Sequence, residues 1–210
     1  MSQPDPITSA LQSAVETGVF PGAVLLVRLR GRIVYQRAVG LASLIPEKKP
    51  ASLETIYDLA SLTKPLATTT SVLCLIQDGQ LGLDDQLQTL LGELTGSAIG
   101  GATVYHLLNH SAGLPAWRPF YEKIAEQDQR SPGFLGSEEA RRLVLDLIRQ
   151  EPLPAPAGTR SLYSDLGFML LGLVVERLAG CSLAQFVRER IYRVINAEPL
   201  FFIDYFATGR

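Results

Sequence analysis

The stretch from Leu166 to Val175 constrains this 210-residue chain more than any other segment. It runs for ten residues without a charged or polar side chain. A membrane-spanning helix needs roughly 20 such residues, so the stretch is too short to span. Continued to Ala179 it reads as a helix that is apolar nearly all round, which predicts that it is buried in a core. Gly180 fits the left-handed position that ends a helix. Ser182 with Gln185 matches a capping box and starts another helix, running to about Ile195.

The remaining segments supply partners for that helix. Ile7 to Thr17 has apolar residues at Ile7, Leu11 and Val15, the i, i+4, i+8 stripe of an amphipathic helix. Gly22–Leu29 and Ile33–Val39 read as strands, and the Arg30-Gly31 step between them as a hairpin turn. Gly40 to Leu53, with Pro46 and Pro50, reads as loop. Leu62 to Gln77 is helical, with Asp78-Gly79 as the stop signal. Tyr105–Asn109 is a short helix, and Trp117 to Gly136 reads as irregular. Ser137 caps a helix to Gln150 with Glu138 and Glu139 in its first turn. Pro152, Pro154 and Pro156 then force an extended segment. The order is helix, two strands and about five helices, an α+β pattern with segregated elements. The expected division is 1–58 as helix and hairpin, 59–200 as a helical subdomain, and 201–210 as a short tail.

Composition narrows the function classes. Lys and Arg total 19 against 21 Asp and Glu, a net charge of −2. That excludes a strongly basic nucleic-acid binder and gives no polybasic membrane contact. The two cysteines, Cys74 and Cys181, are too few for a disulfide framework and fit free thiols in a reduced compartment. The first twenty residues lack the pattern of a secretory signal. The expected location is the cytoplasm. His106 and His110 have the i, i+4 spacing that binds zinc on a helix, but no further Cys or His lies near in sequence and His110 falls in a turn. No metal and no cofactor is expected.

Ser61-Leu62-Thr63-Lys64 places a hydroxyl and an amine at i and i+3, on one face of a helix. A serine hydroxyl is a poor nucleophile until a base takes its proton, and a lysine beside it can serve. The helix N-terminus would aim backbone N–H groups at an oxyanion, and Pro65 is tolerated in the first turn. Alone, the motif is weak: a serine capping a core helix with a solvated lysine one turn on is the plainer reading. Tyr163-Ser164-Asp165 opens the buried helix, where Asp165 also reads as an N-cap. Trp117, Phe120 and Tyr121 either line a substrate mouth or pack on the core. Core packing explains Cys74 better than reactivity does.

Four blocks occur in order: Tyr57–Lys64 after the hairpin, Gly79–Asp85, Leu107–Pro115, and Tyr163–Phe168. Together they resemble the serine β-lactamase-like and penicillin-binding-protein-like hydrolases, the family of class C β-lactamases, DD-peptidases and related esterases. The resemblance implies a β-lactamase/transpeptidase-like fold and a small ester or amide substrate. By it, Ser61 is the nucleophile that forms an acyl-enzyme, Lys64 helps deprotonate it, and Tyr163 is the partner acid/base. Asp165 stands where many members carry Asn. An Asn side chain can donate, whereas an ionised Asp only accepts, so Asp165 can pair with Lys64 and hold it protonated. Asp165, Trp117 and Tyr121 are the candidate substrate-binding residues.

The resemblance also implies a third motif, a Lys-Thr-Gly or His-x-Gly triplet on a later strand. No Lys follows Lys123 and no His follows His110, and Ala207-Thr208-Gly209 lacks the basic residue. The further sheet strands and C-terminal helix of the family have no counterpart either. The chain is therefore expected to be an N-terminal portion of a family member, with an apolar hairpin edge left exposed. A non-catalytic remnant that binds a ligand or partner is the competing expectation.

Overall fold

A computed structural model describes residues 5–197 and 199–203. The Ala207-Thr208-Gly209 triplet and most of the 201–210 tail lie outside the described residues. The chain divides into two compact units, Met1–Leu59 and Ala60–Arg210.

The first unit holds one helix and a three-stranded antiparallel sheet in the order β1-β2-β3. Helix α1, Pro6–Glu16, is capped by Asp5, whose side chain accepts the Thr8 N–H. Thr8 Oγ1 lies 2.9 Å from the Tyr35 hydroxyl, tying α1 to the sheet. Strands β1, Gly22–Leu29, and β2, Arg32–Ser43, form the hairpin. Arg30 and Gly31 both take positive φ, 48° and 78°, the backbone that a tight hairpin turn needs. A bulge falls at Val27/Arg28. The segment expected to be loop from Gly40 carries more structure. β2 continues to Ser43, and Lys49–Pro50 pairs with it as β3. Proline reads as a breaker, but an edge strand does not need its missing N–H. Leu29, Ile33 and Val34 stay exposed on the hairpin.

The second unit is helical. Its first helical run begins with a 3₁₀ turn at Ala60–Leu62, continues as a π-helix over Lys64–Thr69 and becomes α2, Thr70–Gln77. Two short helices follow, α3 (Leu87–Leu90) and α4 (Val104–Leu108), joined by a bridge between Gln86 and Thr103. Helix α5, Phe120–Arg130, occupies the segment expected to be irregular. It buries only Phe120, so no apolar stripe announces it. A Glu126–Arg130 pair along its exposed face supports it instead. Helix α6, Glu138–Arg149, starts at Ser137, whose hydroxyl accepts the Ala140 N–H at 3.1 Å.

Helix α7, Asp165–Ala179, is the core of this unit. Leu166, Leu170, Leu171 and Val174 are fully buried, packed with Leu75, Leu107 and Ile148 from α2, α4 and α6. It ends at Gly180 in the left-handed conformation, φ 66°. Its N-cap residue is Ser164 rather than Asp165, which is the first helical residue. Helix α8, Leu183–Val187, is capped by Ser182 through the Gln185 N–H and passes into a π-turn over Arg188–Tyr192. Among the described residues, no single helix is long and apolar enough to cross a membrane.

Candidate active site

The site gathers at the start of the first helical run and the N-terminus of α7. Ala60, immediately before Ser61, holds φ at 45°. Non-glycine residues rarely take that conformation, and it persists where the surroundings impose it, often at functional sites. The helical backbone that follows puts Ser61 and Lys64 on one face, with Lys64 Nζ donating to Ser61 Oγ at 3.1 Å. Ser61 is exposed and Lys64 is largely enclosed, 14% of its side chain accessible. Pro65 occupies the first turn, where its missing N–H leaves no gap.

α7 delivers the opposing groups. Asp165 Oδ1 lies 2.6 Å from Lys64 Nζ, with 34% of its side chain accessible. Lys64 also sits 5.0 Å from the centre of the Tyr163 ring and 5.8 Å from that of Phe168. Burial pulls the Lys64 ammonium down, but the Asp165 carboxylate and the Tyr163 hydroxyl outweigh it and hold the amine above its ordinary range. Hydrogen bonding from Ser61, then from Lys64, draws the Tyr163 phenol below its ordinary value. The lysine is therefore a fixed cation, and the phenol is the group moved toward ionisation.

The segment that carries Tyr163 is tied down along its length by the turn after α4. Ser161 Oγ donates to the Asn109 carbonyl at 3.2 Å, and the Leu162 N–H to the His110 carbonyl at 2.9 Å. The Ser164 N–H donates to His110 Nδ1 at 3.1 Å, and Ser164 Oγ, buried, to the Pro115 carbonyl at 2.7 Å. The Asp165 N–H reaches the Ala116 carbonyl at 2.9 Å. Gly113 lets this turn close: its φ is 82°, and a Cβ there would stand 2.1 Å from the Ala155 carbonyl oxygen.

Ser61, Lys64, Tyr163 and Asp165 thus meet in one place. Trp117 and Tyr121 lie beyond Ala116 as exposed rings, 53% and 62% accessible, with centroids 6.3 Å apart. Phe120 between them turns into the core instead of toward a mouth. His106 and His110 do not share a helix. His106 Nδ1 accepts the Thr103 N–H at 3.2 Å as part of the α4 capping box, and His110 follows the helix with φ 60°. Their spacing in sequence gave no sign that His110 reaches Ser164.

Comparison with known proteins identifies the family. The beta-lactamase family model matches residues 7–201. A D-alanyl-D-alanine carboxypeptidase-like protein of Escherichia coli O157:H7 is 33% identical over 198 residues, covering 89% of this chain and 44% of that protein. An N-acetylmuramyl-L-alanine amidase of Bacillus subtilis is 32% identical over 189 residues, covering 84% and 41%. Among solved structures, EstCE1, a hydrolase with promiscuous acyltransferase activity, superposes with a TM-score of 0.72 at 30% identity, over 90% of this chain and 50% of its own. A class C beta lactamase from Rhodobacter sphaeroides gives 0.69 at 26%, over 90% and 48%. The chain spans less than half the length of the two sequence relatives. With the family model matched over nearly the whole chain, the chain belongs to the beta-lactamase family of serine hydrolases.

Proposed function

We propose that this chain carries the nucleophile of a serine hydrolase that opens a small ester or amide through an acyl-enzyme on Ser61. The observation that carries the reading is the contact of Lys64 Nζ with both Ser61 Oγ and Asp165. A lysine held protonated by a carboxylate is a poor base, so it acts on Ser61 by its charge. The Tyr163 phenolate, stabilised by that charge, takes the Ser61 proton as Oγ bonds to the carbonyl carbon. The tetrahedral adduct collapses by breaking the bond to the leaving alcohol or amine, and Tyr163 returns the proton to that group. Water, deprotonated by Tyr163 in turn, then releases the acid and restores Ser61. The relatives named as an amidase, a hydrolase with promiscuous acyltransferase activity and a β-lactamase support a reaction at an acyl carbon. Fold does not choose among their substrates. The exposed Trp117 and Tyr121 rings offer an apolar surface for the acyl or leaving group.

The test is intact-mass analysis of the full chain after incubation with a fluorophosphonate and, separately, a β-lactam. One adduct per chain is expected, absent in Ser61→Ala and formed about 10²- to 10⁴-fold more slowly in Tyr163→Phe. Folded protein that gives no adduct overturns the reading and leaves a binding module, and an adduct that survives Ser61→Ala overturns it by putting the nucleophile elsewhere.

A further inference from the structure

His110 stands outside the serine–lysine–tyrosine set, yet it brackets the tyrosine. Its carbonyl oxygen accepts the N–H of Leu162 and its Nδ1 the N–H of Ser164, the two residues flanking Tyr163. Its ring lies against the Tyr163 ring, centroids 4.5 Å apart, and against Phe168 at 5.1 Å. The other ties on this segment end on carbonyl oxygens, which do not titrate. The His110 Nδ1 contact does. An acceptor nitrogen facing an N–H donor must be unprotonated, so Nε2 carries the hydrogen of the neutral ring. His110 also holds a left-handed φ of 60°, a conformation unusual for a residue with a side chain.

We propose that His110 is a positioning residue for Tyr163: its neutral imidazole, accepting the Ser164 N–H and lying along the phenol ring, holds the phenol over Ser61 and Lys64, and protonating that imidazole releases it. The proposal rests on the serine-hydrolase reading for its catalytic consequence. The titratable and charged groups facing His110 are Tyr163, Lys64 and Asp165. Burial first, then the Lys64 charge, press the imidazole toward its neutral form, while the Asp165 charge and the Ser164 backbone oppose them without reversing the direction. The clamp is thus closed at neutral pH and opens in acid, below the ordinary histidine range. Protonation would set Nδ1–H against the Ser164 N–H and bring a second cation toward Lys64.

Two variants separate the parts of the clamp. His110→Asn keeps an acceptor oxygen near the Nδ1 position and tolerates the left-handed backbone. His110→Phe keeps the ring and loses the acceptor. Thermal melts establish that each is folded. Fluorophosphonate labelling of Ser61 is expected to stay close to wild type in His110→Asn. In His110→Phe it should slow on the order of 10²-fold, in the modification step and not in reagent affinity. In acid the wild-type rate should fall with two protons below the His110 midpoint, and with one in His110→Asn. Independently of labelling, ¹³Cζ-tyrosine NMR, with Tyr163 assigned through Tyr163→Phe, should show the Tyr163 signal inflecting at the midpoint of the His110 ring nitrogens. Equal labelling rates in His110→Phe and wild type, or a Tyr163 signal unmoved as His110 titrates, overturns the proposal. Failure of wild-type Ser61 to label overturns the hydrolase reading instead, and the NMR titration still decides the clamp.

Discussion

The Asp165 carboxylate meets the Lys64 ammonium at 2.6 Å across 101 residues of chain. This contact joins the two motifs and, on the proposed mechanism, leaves Tyr163 as the base. A partly enclosed ammonium with a carboxylate against it stays charged, and its charge is then available to the Ser61 hydroxyl and the Tyr163 phenol.

Asp165→Asn tests that assignment. The neutral amide keeps the shape but not the charge, so Lys64 should titrate at a lower pH than in wild type. Because the folded lysine lies above its unfolded value of 10.5, the pair stabilises the fold below pH 10.5. That contribution disappears as pH rises through the folded value. With about a third of the Asp165 side chain accessible, the loss at pH 7 is expected at about 1–2 kcal/mol, between exposed and buried pairs. NMR of ¹³C-methylated lysines reads the titration, and an unchanged Lys64 midpoint would refute the pairing.

Gly113→Ala addresses the turn beneath Tyr163. A methyl at φ 82°, 2.1 Å from the Ala155 carbonyl oxygen, forces the backbone apart. The expected loss is about 2–4 kcal/mol, with slower labelling of Ser61 in the protein that remains folded. Urea denaturation followed by circular dichroism measures it. A loss below about 0.5 kcal/mol would show that the turn yields easily.

Ser71→Ala runs the other way. The Ser71 hydroxyl on α2 is fully buried and has no hydrogen-bond partner among the described residues. Removing an unsatisfied buried hydroxyl from a helix, in favour of the best helix former, should raise stability by about 1 kcal/mol. The same urea experiment checks it, with an unchanged slope.

Glu93→Gln reports on the brace between the end of α7 and the turn before α4. Arg177 grips Glu93 with two hydrogen bonds, 2.7 and 2.6 Å, and lowers its pKa from 4.5 to about 2. A depressed carboxylate stabilises above its unfolded value, and the benefit fades as pH falls from 4.5 toward 2. Both side chains are nearly half exposed, so the loss at pH 7 should not exceed about 1 kcal/mol. The difference between variant and wild type should vanish near pH 2. A difference that persists there would assign the effect to packing.

Much of the fold was legible in the chain because its signals are local. The apolar stretch at Leu166–Val175, the Ser137 and Ser182 caps, the Arg30-Gly31 turn and Gly180 each act within a few residues, and each appears where its pattern predicts. Helix α5 was not legible, since a helix that buries one residue leaves no periodicity to read. Strand β3 was hidden because proline is a breaker in a sheet interior and harmless on an edge. Ser61 and Lys64 could be placed on one face from their spacing, but the weight of the motif came from its order with Tyr163-Ser164-Asp165.

The sequence by itself determined the helical run that pairs Ser61 with Lys64, the buried helix that follows Tyr163, and the family in which those residues recur. Tertiary structure decided their chemistry. It set Asp165 on Lys64, which holds the lysine charged, and brought that charge to the Tyr163 ring. It also turned His110, which the sequence placed in the Leu107–Pro115 block without a role, into the acceptor for Ser164. These outcomes depend on distances between groups 54 and 101 residues apart. Spacing along a chain says nothing of such distances until the core around α7 has packed.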